Sequence, residues 1–249
     1  MKLTFLGTNG WYDTSTGNTP CILVETENSY IVLDAGNGFY KLDNYINGSD
    51  EKPIYLFLSH FHLDHIAGLH ILNKFSFKQS IRIYGQSGTK DILNNIINYP
   101  YTVPFDELPF NVEINELKEG RTNDPFTIQC GFLNHSSRCL GYRFEVDNKV
   151  IAYCTDTGIH ENIVKLGKDA DLLITECSFK IGQFNPYWPH LNPEEALLMA
   201  RKSGAKKLAL THFDANIYRS KAERDEITSQ IDTESPEIIV AHDNMEITI

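Results

Sequence analysis

The stretch "HFHLDHIAG", residues 60–68, carries three histidines and an aspartate within six positions. It directly follows the apolar run "PIYLFLS", residues 53–59. A solvated turn at a strand end would explain single polar residues there. The full pattern asks for more. His60 and His62 alternate on an extended segment, so both side chains project towards one point. Asp64 and His65 fall in the next turn and aim at a neighbouring point. Imidazole and carboxylate are the donors that suit Zn²⁺ and similar borderline cations.

Working outward, other strand-like runs also stop on a potential ligand. "FTIQCGFLN" runs into His135, "VIAYCT" into Asp156 and "KLALT" into His212. Strand ends on one sheet edge converge, so distant positions can share a site. Taken singly, His135 or His212 reads as an ordinary surface or core histidine, and "TDTG" as a turn with a helix cap at Asp156. Read with the motif, they supply the missing donors. Two cations held close together need a bridging anion to offset their repulsion, a role that the Asp156 carboxylate can fill. A hydroxide shared by two cations is also a nucleophile near neutral pH.

Apolar runs rich in Ile, Val, Leu, Phe and Tyr recur along the whole chain, bounded by Gly, Asn, Asp or Pro. Helical patterns fall between them at 64–73, 88–98, 160–167, 192–203 and 219–230. The clearest opens at "LNPEEALLMARKSG", with Asn192 as cap, Pro193 in the first turn and Gly204 as stop. Strands alternating with helices predict an α/β fold, a layered αββα sandwich. No linker divides the 249 residues, which read as one domain over 1–249 or two small repeats of one architecture.

Net charge is -11, which disfavours a protein built to grip long nucleic acid. No run approaches the roughly 18 apolar residues of a membrane helix, and the N-terminus does not read as a signal peptide. The five cysteines are scattered without a CxxC pair, pointing to a reduced, cytoplasmic setting.

With these residues in view, the sequence resembles the metallo-β-lactamase superfamily. "HFHLDHIAG" matches its HxHxDHxxG signature, and His135, Asp156 and His212 follow in the order of its later motifs. The resemblance implies one cation held by His60, His62 and His135, a second by Asp64, His65 and His212, and Asp156 bridging both. Asp34, in "YIVLDAGNG", would support the ligands. The cations would be two divalent ions, Zn²⁺ by the donor set, with Mn²⁺ or Mg²⁺ as alternatives.

Within the superfamily the chain is similar to ribonuclease Z and its smaller phosphodiesterase relatives. "LLITECSF" and "PHLNPEEALLMARKSGAKKLALTHF" resemble segments of that group and point to Glu176 and His190. His190 would protonate the leaving alkoxide, with Glu176 orienting its ring, and Asp64 joins them as a catalytic candidate. Ribonuclease Z enzymes carry a long tRNA-gripping arm between the third and fourth metal motifs. Here only 20 residues separate His135 from Asp156, and they read as one hairpin.

The armless members include enzymes of the anti-Pycsar type, which hydrolyse 3′,5′-cyclic mononucleotides such as cCMP and cUMP and so counter anti-phage signalling. The resemblance therefore implies a small cyclic nucleotide substrate, a homodimer and a location in the bacterial or infected-host cytosol; the missing arm and the net charge make tRNA a weak candidate, and the lack of a long apolar run argues against a membrane partner. Tyr187, Trp188 and Ser136 are candidate substrate contacts, although aromatic loops such as "FNPYWPH" more often serve packing. His70, His160 and His242 are expected to bind no metal. The rivals are tRNA 3′-end cleavage by the same centre, another superfamily hydrolase, and a non-catalytic protein that sequesters a nucleotide.

Overall fold

A computed structural model describes residues 1–46, 51–232 and 234–249. In chain order the N-terminal half contributes β1 (Lys2–Gly7), β2 (Asn9–Gly10), β3 (Cys21–Glu25), β4 (Tyr30–Leu33), β5 (Ile54–Phe57), α1 (Leu63–Ile66), β6 (Ile81–Gln86), α2 (Thr89–Ile96) and β7 (Val112–Leu117). There follow β8 (Gly120–Thr122), β9 (Thr127–Phe132), β10 (Leu140–Val146), β11 (Lys149–Cys154), α3 (Glu161–Leu166) and β12 (Leu172–Glu176). The remainder holds α4 (Pro193–Ser203), β13 (Lys207–Thr211), β14 (Phe213–Asp214), α5 (Lys221–Asp225), α6 (Ile227–Gln230), β15 (Glu237–Val240) and β16 (Met245–Thr248).

Two seven-stranded sheets result, ordered β16-β1-β3-β4-β5-β6-β7 and β15-β13-β12-β11-β10-β9-β8. Each is half antiparallel and half parallel: β16 to β4 and β8 to β11 alternate in direction, while β4 to β7 and β11 to β15 run parallel. The two halves thus repeat one architecture, with β16 returning to complete the first sheet.

Both faces of both sheets are buried, which explains the near-continuous apolar runs. Alternate residues divide between layers. Ile31, Leu33, Tyr55 and Phe57 face Tyr142, Phe144, Ile151 and Tyr153 in the core between the sheets. Val32, Leu56 and Leu58 pack outward on Leu69, Leu72 and Leu93. Ala152, Leu173 and Leu208 pack outward on Ile163, Leu197 and Ala200. This is the αββα sandwich.

The pattern 64–73 resolves into α1 and a 3-10 segment, Ala67–Lys74, and 219–230 into α5 and α6. α4 has the expected ends: Asn192 and Glu195 form a capping box, and Gly204 closes it at φ 74. β7, β8 and β16 lack the apolar runs of the other strands in the two large sheets. All three are edge or near-edge strands such as "VEINEL" and "MEIT", half-exposed and mixed in polarity.

Candidate active site

Three residues leave the ends of parallel strands in a left-handed conformation: Asp34 after β4 (φ 57), Asp156 after β11 (φ 48) and His212 after β13 (φ 51). For a non-glycine residue this costs about 1 kcal/mol. It also turns the chain sharply off the sheet and sets a polar side chain at the cleft. β5 ends more gently, and Ser59 to His62 run extended towards α1. Gly68 closes the motif for a steric reason: a Cβ there would strike the Gly36 carbonyl. Its amide donates to the Ala35 carbonyl at 2.8 Å, seating α1 against the Asp34 turn.

The motif residues and the distant strand ends come together in two clusters. His60, His62, His135 and Asp156 form one; Asp64, His65 and His212 form the other, with ligand atoms within 4.8 Å of one another in each. In the first, His62 Nδ1 lies 3.2 Å from His135 Nε2, and Asp156 Oδ2 lies 3.7 Å from both His60 Nε2 and His135 Nε2. In the second, His65 Nε2 and His212 Nε2 are 3.1 Å apart. Asp156 Oδ1 stands 3.2 Å and 3.1 Å from those two nitrogens, and Asp64 Oδ2 stands 3.6 Å and 3.4 Å from them. The two Asp156 oxygens are therefore divided between the clusters, as a bridging carboxylate requires.

The residues fit a pair of cations. Donors bound at 2.0–2.2 Å in a tetrahedron stand roughly 3.3–3.6 Å from one another, close to the spacings seen. His60 Nε2 is buried without a hydrogen-bond partner. His65 Nδ1 is occupied by Asp34 Oδ2 at 2.8 Å, so Nε2 is the nitrogen that faces His212. The orphaned His60 Nε2, aimed at the other donors of its cluster, is poorly explained as part of a hydrogen-bond network. Burial holds the His60, His62 and His135 imidazoles below their ordinary range, His135 to about 4, which keeps them neutral as ligands must be. Burial also opposes charge on His65, but Asp156, Asp64 and Asp34 together outweigh it and push its pKa up. That half of the site attracts positive charge.

Residues behind the clusters hold them in place. Asp34 Oδ2 also accepts from Ser59 Oγ at 2.8 Å and from Tyr153 OH at 2.7 Å, and Asp34 Oδ1 accepts from the Ser59 amide at 2.7 Å. The Trp11 amide donates to Asp64 Oδ2 at 2.8 Å. Gly10 lets this loop approach: an added Cβ would fall 2.6 Å from His212 Cε1.

His190 and Glu176 meet beside the clusters, His190 Nδ1 lying 2.6 Å from Glu176 Oε1, both buried. Ser178 Oγ donates to Glu176 Oε2 at 2.7 Å and lies 3.2 Å from His212 Nδ1, linking the pair to the second cluster. Burial works against an imidazolium at His190. The Glu176 charge and hydrogen bond outweigh it and push the His190 pKa up to about 9.

These groups open into a cavity of about 640 Å³ whose walls include Trp11, Leu63, Phe179, Trp188 and Asp214. The Trp188 ring lies parallel to His62 with centroids 6.4 Å apart. Tyr187 is 90% exposed, and neither it nor the exposed Ser136 is among the lining residues. The remaining histidines sit elsewhere. His160 accepts from the Asn162 amide at the start of α3, His242 pairs with Asp225 at 2.7 Å, and His70 bonds the Ala67 carbonyl. Ser59, Tyr153, Ser178 and Trp11 also belong to the site, although no sequence motif marks them. Only Trp11 left a trace, its place in the glycine-containing turn "TNGWYD".

Comparison with known proteins agrees with this architecture. Residues 29–213 match the beta-lactamase superfamily domain, a span containing both clusters, Glu176 and His190. The chain is 28% identical to "Probable metallo-hydrolase YhfI" of Bacillus subtilis, over 86% of this chain and 87% of that protein. It is 25% identical to the ribonuclease Z of Haloarcula marismortui, over 99% of this chain and 96% of that one. The crystal structure of YhfI superposes with TM-score 0.78 at 24% identity, covering 99% of this chain and 98% of that one. Human tRNase Z, short form, superposes with TM-score 0.76 at 24% identity, covering 100% and 99%. The chain belongs to the metallo-β-lactamase superfamily, as a metal-dependent hydrolase of that fold with relatives in the ribonuclease Z-like branch.

Proposed function

We propose that this hydrolase is a phosphodiesterase that opens 3′,5′-cyclic mononucleotides, cCMP and cUMP among them, to linear monophosphates. The observation that carries the reading is the buried Glu176–His190 pair placed beside the His/Asp clusters. Opening a phosphodiester expels an alkoxide, a poor leaving group unless protonated. His190 Nδ1 is committed to Glu176, so Nε2 is the atom that would deliver the proton. His60, His62, His135, Asp64, His65 and His212 would hold two divalent cations bridged by Asp156. When bound, such cations neutralise phosphate charge and bring the pKa of water towards neutrality. The aromatic walls at Trp11, Phe179 and Trp188 would offer a base a flat face.

The scale of the site supports a small substrate. His135 and Asp156 are joined by the β10–β11 hairpin, turning at Asp147 and Asn148, both at positive φ. Relatives named ribonuclease Z make tRNA 3′-end cleavage the second reading, against which stands the net charge of -11. Turnover of cyclic mononucleotides, bis(p-nitrophenyl) phosphate and precursor tRNA, each with Zn²⁺, Mn²⁺ and Mg²⁺, tests both. Failure to hydrolyse any cyclic mononucleotide overturns the first. His62→Ala, folded but inactive, would exclude simple sequestration. The homodimer implied by the resemblance belongs to the same proposal and is read by light scattering.

A further inference from the structure

Arg224 is a fully buried side chain of α5, and among the described residues no carboxylate lies within ion-pair distance of it; Asp243, which accepts from Thr8 Oγ1 at 2.8 Å, is the charge that most favours the cation. Its guanidinium donates instead to three neutral oxygens: Thr8 Oγ1 at 3.1 Å, Asn9 Oδ1 at 2.5 Å and Thr16 Oγ1 at 2.8 Å. It also lies 4.7 Å over the Phe213 ring. All three oxygens belong to the segment between β1 and β3, so burial of the cation depends on that segment staying in place, together with Asp243 behind Thr8.

The loop in turn touches one half of the site. Phe213 pairs with Asn9 and Asp214 with Gly10 in the short β2–β14 ladder, directly after His212. Gly10 lies against the His212 ring. The next residue, Trp11, gives its amide to Asp64. By contrast, no hydrogen bond joins residues 8–16 to His60, His62 or His135 among the described residues.

We propose that Arg224 is a positioning residue for the Asp64–His65–His212 cation site, acting through Asn9, Gly10 and Trp11 and leaving the His60–His62–His135 site unaffected. The inference uses the functional reading only in requiring that the clusters bind cations. It does not depend on which phosphodiester is cleaved.

The test is cation affinity. Apo-protein is titrated with ¹¹³Cd²⁺, one NMR signal per bound ion, against a competing chelator, and Asp64→Ala identifies the signal of the second site. Arg224→Met is expected to weaken that signal's ion by about 10-fold or more while the other keeps wild-type affinity. Thr16→Val, which removes one of the three contacts, should move it in the same direction by a few-fold and serves if Arg224→Met does not fold. Met199→Ala, a cavity in the α4 layer, controls for lost stability and should change neither affinity. The proposal is overturned if the folded Arg224 or Thr16 variant binds both ions as wild type, or weakens both equally, or if Met199→Ala reproduces the selective loss. Absence of cyclic nucleotide turnover in a protein that passes this test would overturn the substrate reading alone.

Discussion

Trp11 occupies the least comfortable backbone position in the cavity wall, a bulky residue at φ 75 with its indole 67% exposed. Neither burial nor propensity explains it. Its amide on Asp64 and its ring in the cavity do. Trp11→Gly keeps the amide, relieves the left-handed strain and removes the indole. Cation content should be unchanged, while KM for a nucleotide rises about 10-fold, the size of one lost base stack. An unchanged KM removes the indole from substrate recognition. Glu176→Gln probes the neighbouring pair. Beside the Glu176 carboxylate the His190 pKa is pushed up to about 9, and an acid-dependent kcat falls above that pH. Without the carboxylate, burial prevails and lowers the His190 pKa. The alkaline limb of kcat should therefore move to lower pH, with kcat reduced about 10²-fold. A limb that stays in place would show that His190 is not the titrating acid.

At the level of elements, position depends on small residues and caps that bring backbone close to the ligands. Gly10→Ala should push the His212 ring aside and reduce activity at least 10-fold, with the circular dichroism spectrum retained. Full activity would show that the β2 approach is loose. Asn192→Ala removes the capping box of α4 just beyond His190 and should cost about 1 kcal/mol in denaturant unfolding. α4 was fully legible because its cap, its apolar stripe and its glycine stop are local signals. The grouping of His60, His62, Asp64 and His65 was legible for the same reason, since they are near neighbours in sequence. β7, β8 and β16 were not, because an edge strand is defined by the neighbour it pairs with. Nor were Ser178 and Tyr153, whose roles exist only once Glu176, Asp34 and the histidines have met.

For the whole molecule, the clusters gather donor side chains from both sheets, so binding of cations there would be linked to folding. Asp64 and Asp156 line the cleft, and Asp34 and Glu176 are buried behind it. Without bound cations these carboxylates repel one another. Treatment with a strong chelator should lower Tm by several degrees, and stoichiometric Zn²⁺ should restore it, as expected for a ligand that binds only the folded state. An unaltered Tm after verified metal removal would mean that the cage is held by packing alone. The αββα layering was readable from apolar runs buried on both faces. The repeat of strand directions in the two sheets was not, since it depends on long-range pairing.

The chain contains two tryptophans, and both stand in the wall of one cavity. All of the indole emission therefore originates at the cleft, so the protein comes with an optical gauge of whatever enters it. Trp188→Phe and Trp11→Gly each leave a single lamp, one on either loop. A stopped-flow trace of their quenching would time ligand arrival and product departure without any attached dye.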